Sequence, residues 1–254
     1  MEDIGPMRCP THLNNYLRQK EHMKTYNCDG CKMDGHGQSY MCTKCDYVLH
    51  LQCMFPSNKI APSFLQNDKI FEFMKEPRPL PKPSYKRYCD ACGFEVKGFV
   101  YHCFKMGFDL HPCCASLGSH LEIDGQIFTL KKDSAPKKCD LCGTDDAKKS
   151  DVIDSGWFYA SKNKDYKCHV SCIMNLAIKS TIKGNSSIND GMALANLELL
   201  PTVNKRRSGR DGSKYWRILK AIVVYVISIA VGDPTTIMAK LAVESVVQLG
   251  ALMF

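Results

Sequence analysis

The chain has 254 residues, fifteen of them cysteine, and a formal net charge of +8. An odd cysteine count arranged mostly in C-x2-C pairs argues against a closed disulfide framework and for metal ligands or redox pairs. Residues 201–254 carry +5 of the charge, so the first 200 residues lack the basic surface that binding to nucleic acid requires.

The opening MEDIGPMRCP has acids and a proline where a secretory signal has a basic end and an apolar run, so a reducing cytoplasmic compartment is expected. A first module is read over 9–58. His12-Leu13 opens a short alternating segment expected as its first strand, followed by Cys28-Asp-Gly-Cys31, Gly37-x-x-Tyr40, Cys42-x-x-Cys45 and His50-x-x-Cys53. Residues 59–87 read as a linker. The core of a second module, 88–122, repeats the pattern with Cys89-Asp-Ala-Cys92, Gly98-x-x-Tyr101 and His111-x-x-Cys114. A third, 123–182, has Cys139-Asp-Leu-Cys142, Gly156-x-x-Tyr159 and His169-x-x-Cys172, with a short helix expected at CIMNLAIKS. Ten residues separate each tyrosine from its histidine, and an aromatic (Tyr47, Phe108 or Tyr166) stands three residues before that histidine. Such agreement marks an internal repeat.

Modules of about fifty residues bury too little apolar surface to fold unaided, and a metal commonly supplies the difference. C-x2-C and H-x2-C turns present three thiolates and an imidazole to one tetrahedral zinc ion. One ion is therefore assigned to Cys28, Cys31, His50 and Cys53. A second falls to Cys89, Cys92, His111 and Cys114, and a third to Cys139, Cys142, His169 and Cys172. Each such set has a net charge near −1, which brings the module region close to neutral. The competing reading, a thioredoxin-like redox pair, lacks the surrounding βαβ pattern. A second ligand pair decays along the repeats: Cys42 and Cys45 become Cys103 and Met106, then Ser161 and Lys164. In the first module Cys42 and Cys45 need two more donors, for which His12 and Cys9 stand upstream, giving three to four zinc ions per chain. Cys103 and His120 make half a site in the second module. Cys113 and Cys168 are read as spare thiols that behave as small buried hydrophobes.

The run Tyr40-Met-Cys42-Thr-Lys-Cys45-Asp-Tyr-Val-Leu-His50-Leu-Gln-Cys53 resembles the cysteine-rich C1 zinc domain of protein kinase C. It is more similar still to the divergent C1 domain repeated in the large plant family of cysteine/histidine-rich proteins. The resemblance covers roughly residues 9–180 and implies tandem, small α+β modules with cross-braced zinc sites. It does not bring diacylglycerol with it, because the loop KMDGHGQS is polar and lacks the glutamine-glycine that braces the lipid cleft.

A linker over 183–204 surrounds the apolar MALANLELL and leads to a tail, 205–254. The tail begins with Lys205, Arg206, Arg207, Arg210, Lys214, Arg217 and Lys220 and is expected to form a helical hairpin, about 213–231 and 234–253, broken at Gly232-Asp233-Pro234. Its uninterrupted apolar stretch is shorter than the ~20 residues of a membrane span. It is read as an interfacial hairpin at the cytosolic face of an anionic membrane, the other reading being that it packs on the modules or on a partner protein. No phosphate loop, HExxH, GxSxG or paired-carboxylate motif appears, so a non-enzymatic adaptor in signalling or stress response is expected. The alternative is a cross-braced plant-homeodomain or RING-type ubiquitin ligase or histone reader, whose ligand spacing the first six ligands also match.

Overall fold

A computed structural model describes residues 5–65, 69–82, 84–123, 125–132, 139–141, 156–162, 166–175 and 221–222. Three small antiparallel sheets follow one another along the chain. The first holds β1 (Arg18–Asn27), β2 (Asp34–Met41) and β3 (Val48–Leu49), and is closed by the single-turn helix α1 (Leu51–Met54). The second is ordered β4 (Lys59–Ile60), β5 (Phe71–Met74), β6 (Val100–Cys103), β7 (Phe108–Leu110), followed by α2 (Pro112–Ala115). The third pairs β8 (His120–Ile123), β9 (Gln126–Lys131), β10 (Phe158–Ser161) and β11 (Lys167–His169) in that spatial order, and residues 170–175 are helical.

Residues 59–74, read from the sequence as linker, thus supply two strands of the second sheet, and residues 120–123 belong to the third sheet rather than to the second module's core. Their alternation is too short to separate strand from loop by periodicity. The helical hairpin expected in the tail lies outside the described residues, apart from 221–222, which are helical. Among the described residues no helix is long and apolar enough to cross a membrane.

Each repeated residue has a traceable physical role. The C-D-x-C turn closes by a backbone bond from the residue after the motif back to its first cysteine, Lys32 N–H to Cys28 O at 2.8 Å and Gly93 N–H to Cys89 O at 2.7 Å. Both of these following residues take a positive φ, +63° at Lys32 and +73° at Gly93. The motif's aspartate makes a reciprocal pair with the residue two before the ligand histidine. Asp29 donates its N–H to Val48 O and accepts the Val48 N–H at Oδ2, both at 2.8 Å. Asp90 does the same with Asp109, and Asp140 with Lys167. This pair fastens the first ligand turn to the strand that delivers the second.

The G-x-x-Y motif joins one module to the next. Phe99, after Gly98, donates its N–H to Gly30 O in the first module's ligand turn at 2.9 Å, and Trp157, after Gly156, donates to Ala91 O in the second's at 3.1 Å. Tyr101 Oη donates to Ser57 O at 3.1 Å and accepts from Ser57 N–H at 3.0 Å. Tyr159 Oη donates to Gly118 O at 2.8 Å. Ser57 and Gly118 each lie four residues beyond an H-x-x-C cysteine, so one docking rule applies at both joints. Tyr40, the matching residue of the first module, packs edge-on against Phe55. The core follows the same joints. Modules two and three share one cluster, with Phe71, Tyr159, Phe128 and Ile222 fully buried, and Phe99 of the second module enters the cluster of the first.

This docking makes opposite predictions for two equivalent glycines. A Cβ on Gly98 would overlap the backbone oxygen of Gly30, whereas one on Gly156 would stand 3.5 Å from Ala91 O, an ordinary contact. Gly98→Ala should cost about 1–3 kcal/mol through steric overlap at the joint, and Gly156→Ala less than about 1 kcal/mol. Chemical denaturation of the zinc-loaded chain checks this, with equal effects at the two sites counting against the docking geometry.

Candidate metal centres

Among the described residues, four sets of side chains bring their donor atoms within 4.8 Å of one another: Cys28, Cys31, His50 and Cys53; Cys89, Cys92, His111 and Cys114; Cys139, His169 and Cys172; and Cys9, His12, Cys42 and Cys45. Cys142, expected as the remaining donor of the third set, lies outside the described residues. The first two sets are fully buried. In each the first cysteine pair comes from the turn before a strand and the H-x-x-C pair from the start of a one-turn helix, so an ion there ties two ends of the sheet together.

The chemistry of the donors fits zinc. His50 Nδ1 lies 3.4 Å from Cys31 Sγ, and His111 Nδ1 3.4 Å from Cys92 Sγ. His169 Nδ1 lies 3.5 Å from Cys172 Sγ. Burial would hold His50 and His111 down as neutral imidazoles, but the neighbouring thiolates outweigh it and push both up, so the surroundings of each ring favour a cation. Backbone N–H groups support the sulfurs: His50 N–H points to Cys28 Sγ at 3.4 Å and His169 N–H to Cys139 Sγ at 3.5 Å. Four thiolate/imidazole sets of this composition suit tetrahedral zinc at three to four ions per chain.

The fourth set is the second site expected in the first module, and both upstream candidates join it. Cys9 Sγ lies 3.5 Å from His12 Nδ1 and 3.5 Å from Cys45 Sγ, and Cys42 Sγ lies 3.7 Å from His12 Nδ1. Asn15 donates from Nδ2 to Cys42 Sγ at 3.3 Å, an outer-shell bond that the sequence did not announce. The donor pairs of the two sets alternate along the chain, Cys9/His12 and Cys42/Cys45 for one and Cys28/Cys31 and His50/Cys53 for the other, which is the cross-brace.

The later modules keep the turn and drop the ligands. Cys42 N–H bonds to Tyr47 O at 2.9 Å, and Ser161 N–H bonds to Tyr166 O at 3.0 Å in the same role, with Ser161 Oγ accepting the Tyr166 N–H at 3.1 Å. Cys103 is buried in β6, and His120 is exposed on β8 with Ser119 Oγ near its Nδ1. Among the described residues these two belong to no donor set of metal-binding size. The cross-strand partner of Ser161 is Phe128, and continuing the β5–β6 register sets Phe71 beside Cys103. Both phenylalanines are fully buried.

The tail residues Lys205, Arg206, Arg207, Arg210, Lys214, Arg217 and Lys220 lie outside the described residues, as does Lys164.

Residues 10–54 match the family model of the C1 domain, the family of the plant divergent C1 domains, so the resemblance carried by the first module's ligand spacing holds for that module. No curated protein and no solved structure matches the chain.

Proposed function

We propose that the chain is a non-enzymatic, zinc-built adaptor whose docked modules present a protein-binding surface, with the basic tail directing it to the cytosolic face of anionic membranes. The observation that supports this best is where the chemistry-bearing residues go. The first two sets bury every donor, and each is filled by protein ligands, leaving no coordination position for a substrate. The thiols of such sites are structural, since they are held by one another and by backbone N–H groups. A ubiquitin-discharge assay of the zinc-loaded chain with a panel of conjugating enzymes tests the adaptor against the ligase. No acceleration is expected, and zinc-dependent discharge by any one enzyme would replace the adaptor reading.

For the tail, seven basic residues between Lys205 and Lys220 would each contribute at most about 1 kcal/mol at an anionic surface. Co-sedimentation of the full chain with phosphatidylserine vesicles should therefore fall as salt rises, and should be absent with neutral vesicles. A second reading is favoured by Ile222, which is fully buried within the core cluster shared by modules two and three. On that reading the start of the apolar stretch packs on protein. Failure to sediment with any vesicle would favour it and remove the membrane from the proposal.

A further inference from the structure

The first module's primary site has a donor that its own repeat does not supply. Cys113 belongs to α2 of the second module, one residue before the ligand Cys114, yet its Sγ lies 3.5 Å from His50 Nδ1. Its thiol also donates to Gln52 Oε1 at 3.7 Å, and it is buried at 2 % exposure. A thiol of the second module thus stands beside the metal-facing nitrogen of a four-donor set in the first.

A second observation separates His50 from its counterpart. Histidine ligands ordinarily donate their other ring N–H to a carbonyl or carboxylate, which fixes the ring and strengthens the metal bond. His111 has such a partner, with Nε2 at 3.3 Å from Glu95 O. His50 Nε2 is buried and has no hydrogen-bond partner among the described residues, and a Cβ on Gly35 would fall on it. The first site thus combines a histidine that lacks outer support with a further thiol lying against its Nδ1.

We propose that Cys113 is a zinc ligand of the first module supplied in trans by the second, sharing the fourth coordination position with His50. Cys28, Cys31 and Cys53 hold the ion throughout. When the bond to Cys113 sulfur forms, the bond to His50 Nδ1 breaks and the Cys113 thiol proton passes to the freed imidazole, so charge and protons balance. The joint is then stapled by metal as well as by the Phe99–Gly30 bond. The positions equivalent to Cys113 are Gln52 and Ser171, neither of which offers a thiolate, so the second module's ion has no such reserve.

The test uses the full chain, zinc counted by elemental analysis and cobalt(II) substitution read by absorbance. His111→Ala should lose one ion per chain. His50→Ala should keep the wild-type count, with its cobalt bands shifted toward those of an all-thiolate site. His50→Ala/Cys113→Ala should then lose one ion. Equal losses in His50→Ala and His111→Ala, or equal counts in His50→Ala with and without Cys113, would overturn the proposal. Should His50→Ala not fold, Cys113→Ala alone decides: release of one ion to a chromophoric chelator should speed up by about tenfold, and an unchanged release profile would overturn it. The inference rests on the zinc reading, which fails separately if the wild-type chain itself contains no zinc.

Discussion

Removing zinc from the full chain with a strong chelator should collapse the three sheets into an unfolded chain, and returning zinc should restore them. The described strands span two to ten residues, and α1 and α2 are single turns of four. Neither hairpins nor one-turn helices of this size are stable alone in water. A structural zinc site contributes about 10–16 kcal/mol in small peptides, more than the whole stability of an ordinary domain at about 5–15 kcal/mol. Without the ion, each set leaves two or three described thiols and an imidazole packed together. Circular dichroism should report the loss, and elemental analysis before chelation should give three to four ions per chain. Calcium and magnesium should not rescue the fold, since they require oxygen ligands. Acidification should act in the same direction as chelation, because protons compete for the thiolates and imidazoles that must be deprotonated to bind. Persistence of cooperative unfolding in the metal-free chain would show that the apolar clusters suffice.

Asp109→Ala should be among the most destabilising substitutions away from the ligands, at about 3–5 kcal/mol, because it breaks a buried charged network. Asp109 Oδ1 bonds His102 Nδ1 at 2.8 Å, Oδ2 accepts from Arg87 Nη1 at 2.8 Å, and its side chain is 7 % exposed. The substitution strands the partly buried Arg87 guanidinium and leaves the buried His102 ring without its carboxylate. The shorter Lys59–Glu72 ion pair, at 2.6 Å, is the control, since both partners are solvent-exposed. Such pairs contribute about 0–1 kcal/mol, so Glu72→Ala should be nearly neutral. Denaturant titration of zinc-loaded variants compares the two. The network is peculiar to the second module, because Val48 and Lys167 occupy the matching positions in the others. Comparable losses in both variants would mean that burial does not set the strength of these pairs.

Spacing alone determined the metal chemistry. The C-x2-C and H-x2-C pairs had to meet because a tetrahedral ion accepts donors only from turns of that reach, and the structure gathers every described member of the expected sets, Cys9 and His12 included. The change of the second ligand pair to Cys103 and Met106, then to Ser161 and Lys164, could be read in register. The strands β4, β5 and β8 were not, because runs of two to four residues carry no usable period and are specified by their neighbours in the sheet. The repeated aspartate, glycine and tyrosine were visible as a pattern without a mechanism. Only the tertiary structure showed the aspartate tying strand to ligand turn, and the tyrosine and the residue after the glycine binding the preceding module. Cys113 marks the same limit. In sequence it is one thiol beside a ligand, read as a spare that behaves as a small buried hydrophobe. Its sulfur faces His50, sixty-three residues away, because backbone bonds at the joint lay α2 against the first module's ligand turn, and proximity across a joint is a property of packing that ligand spacing does not encode.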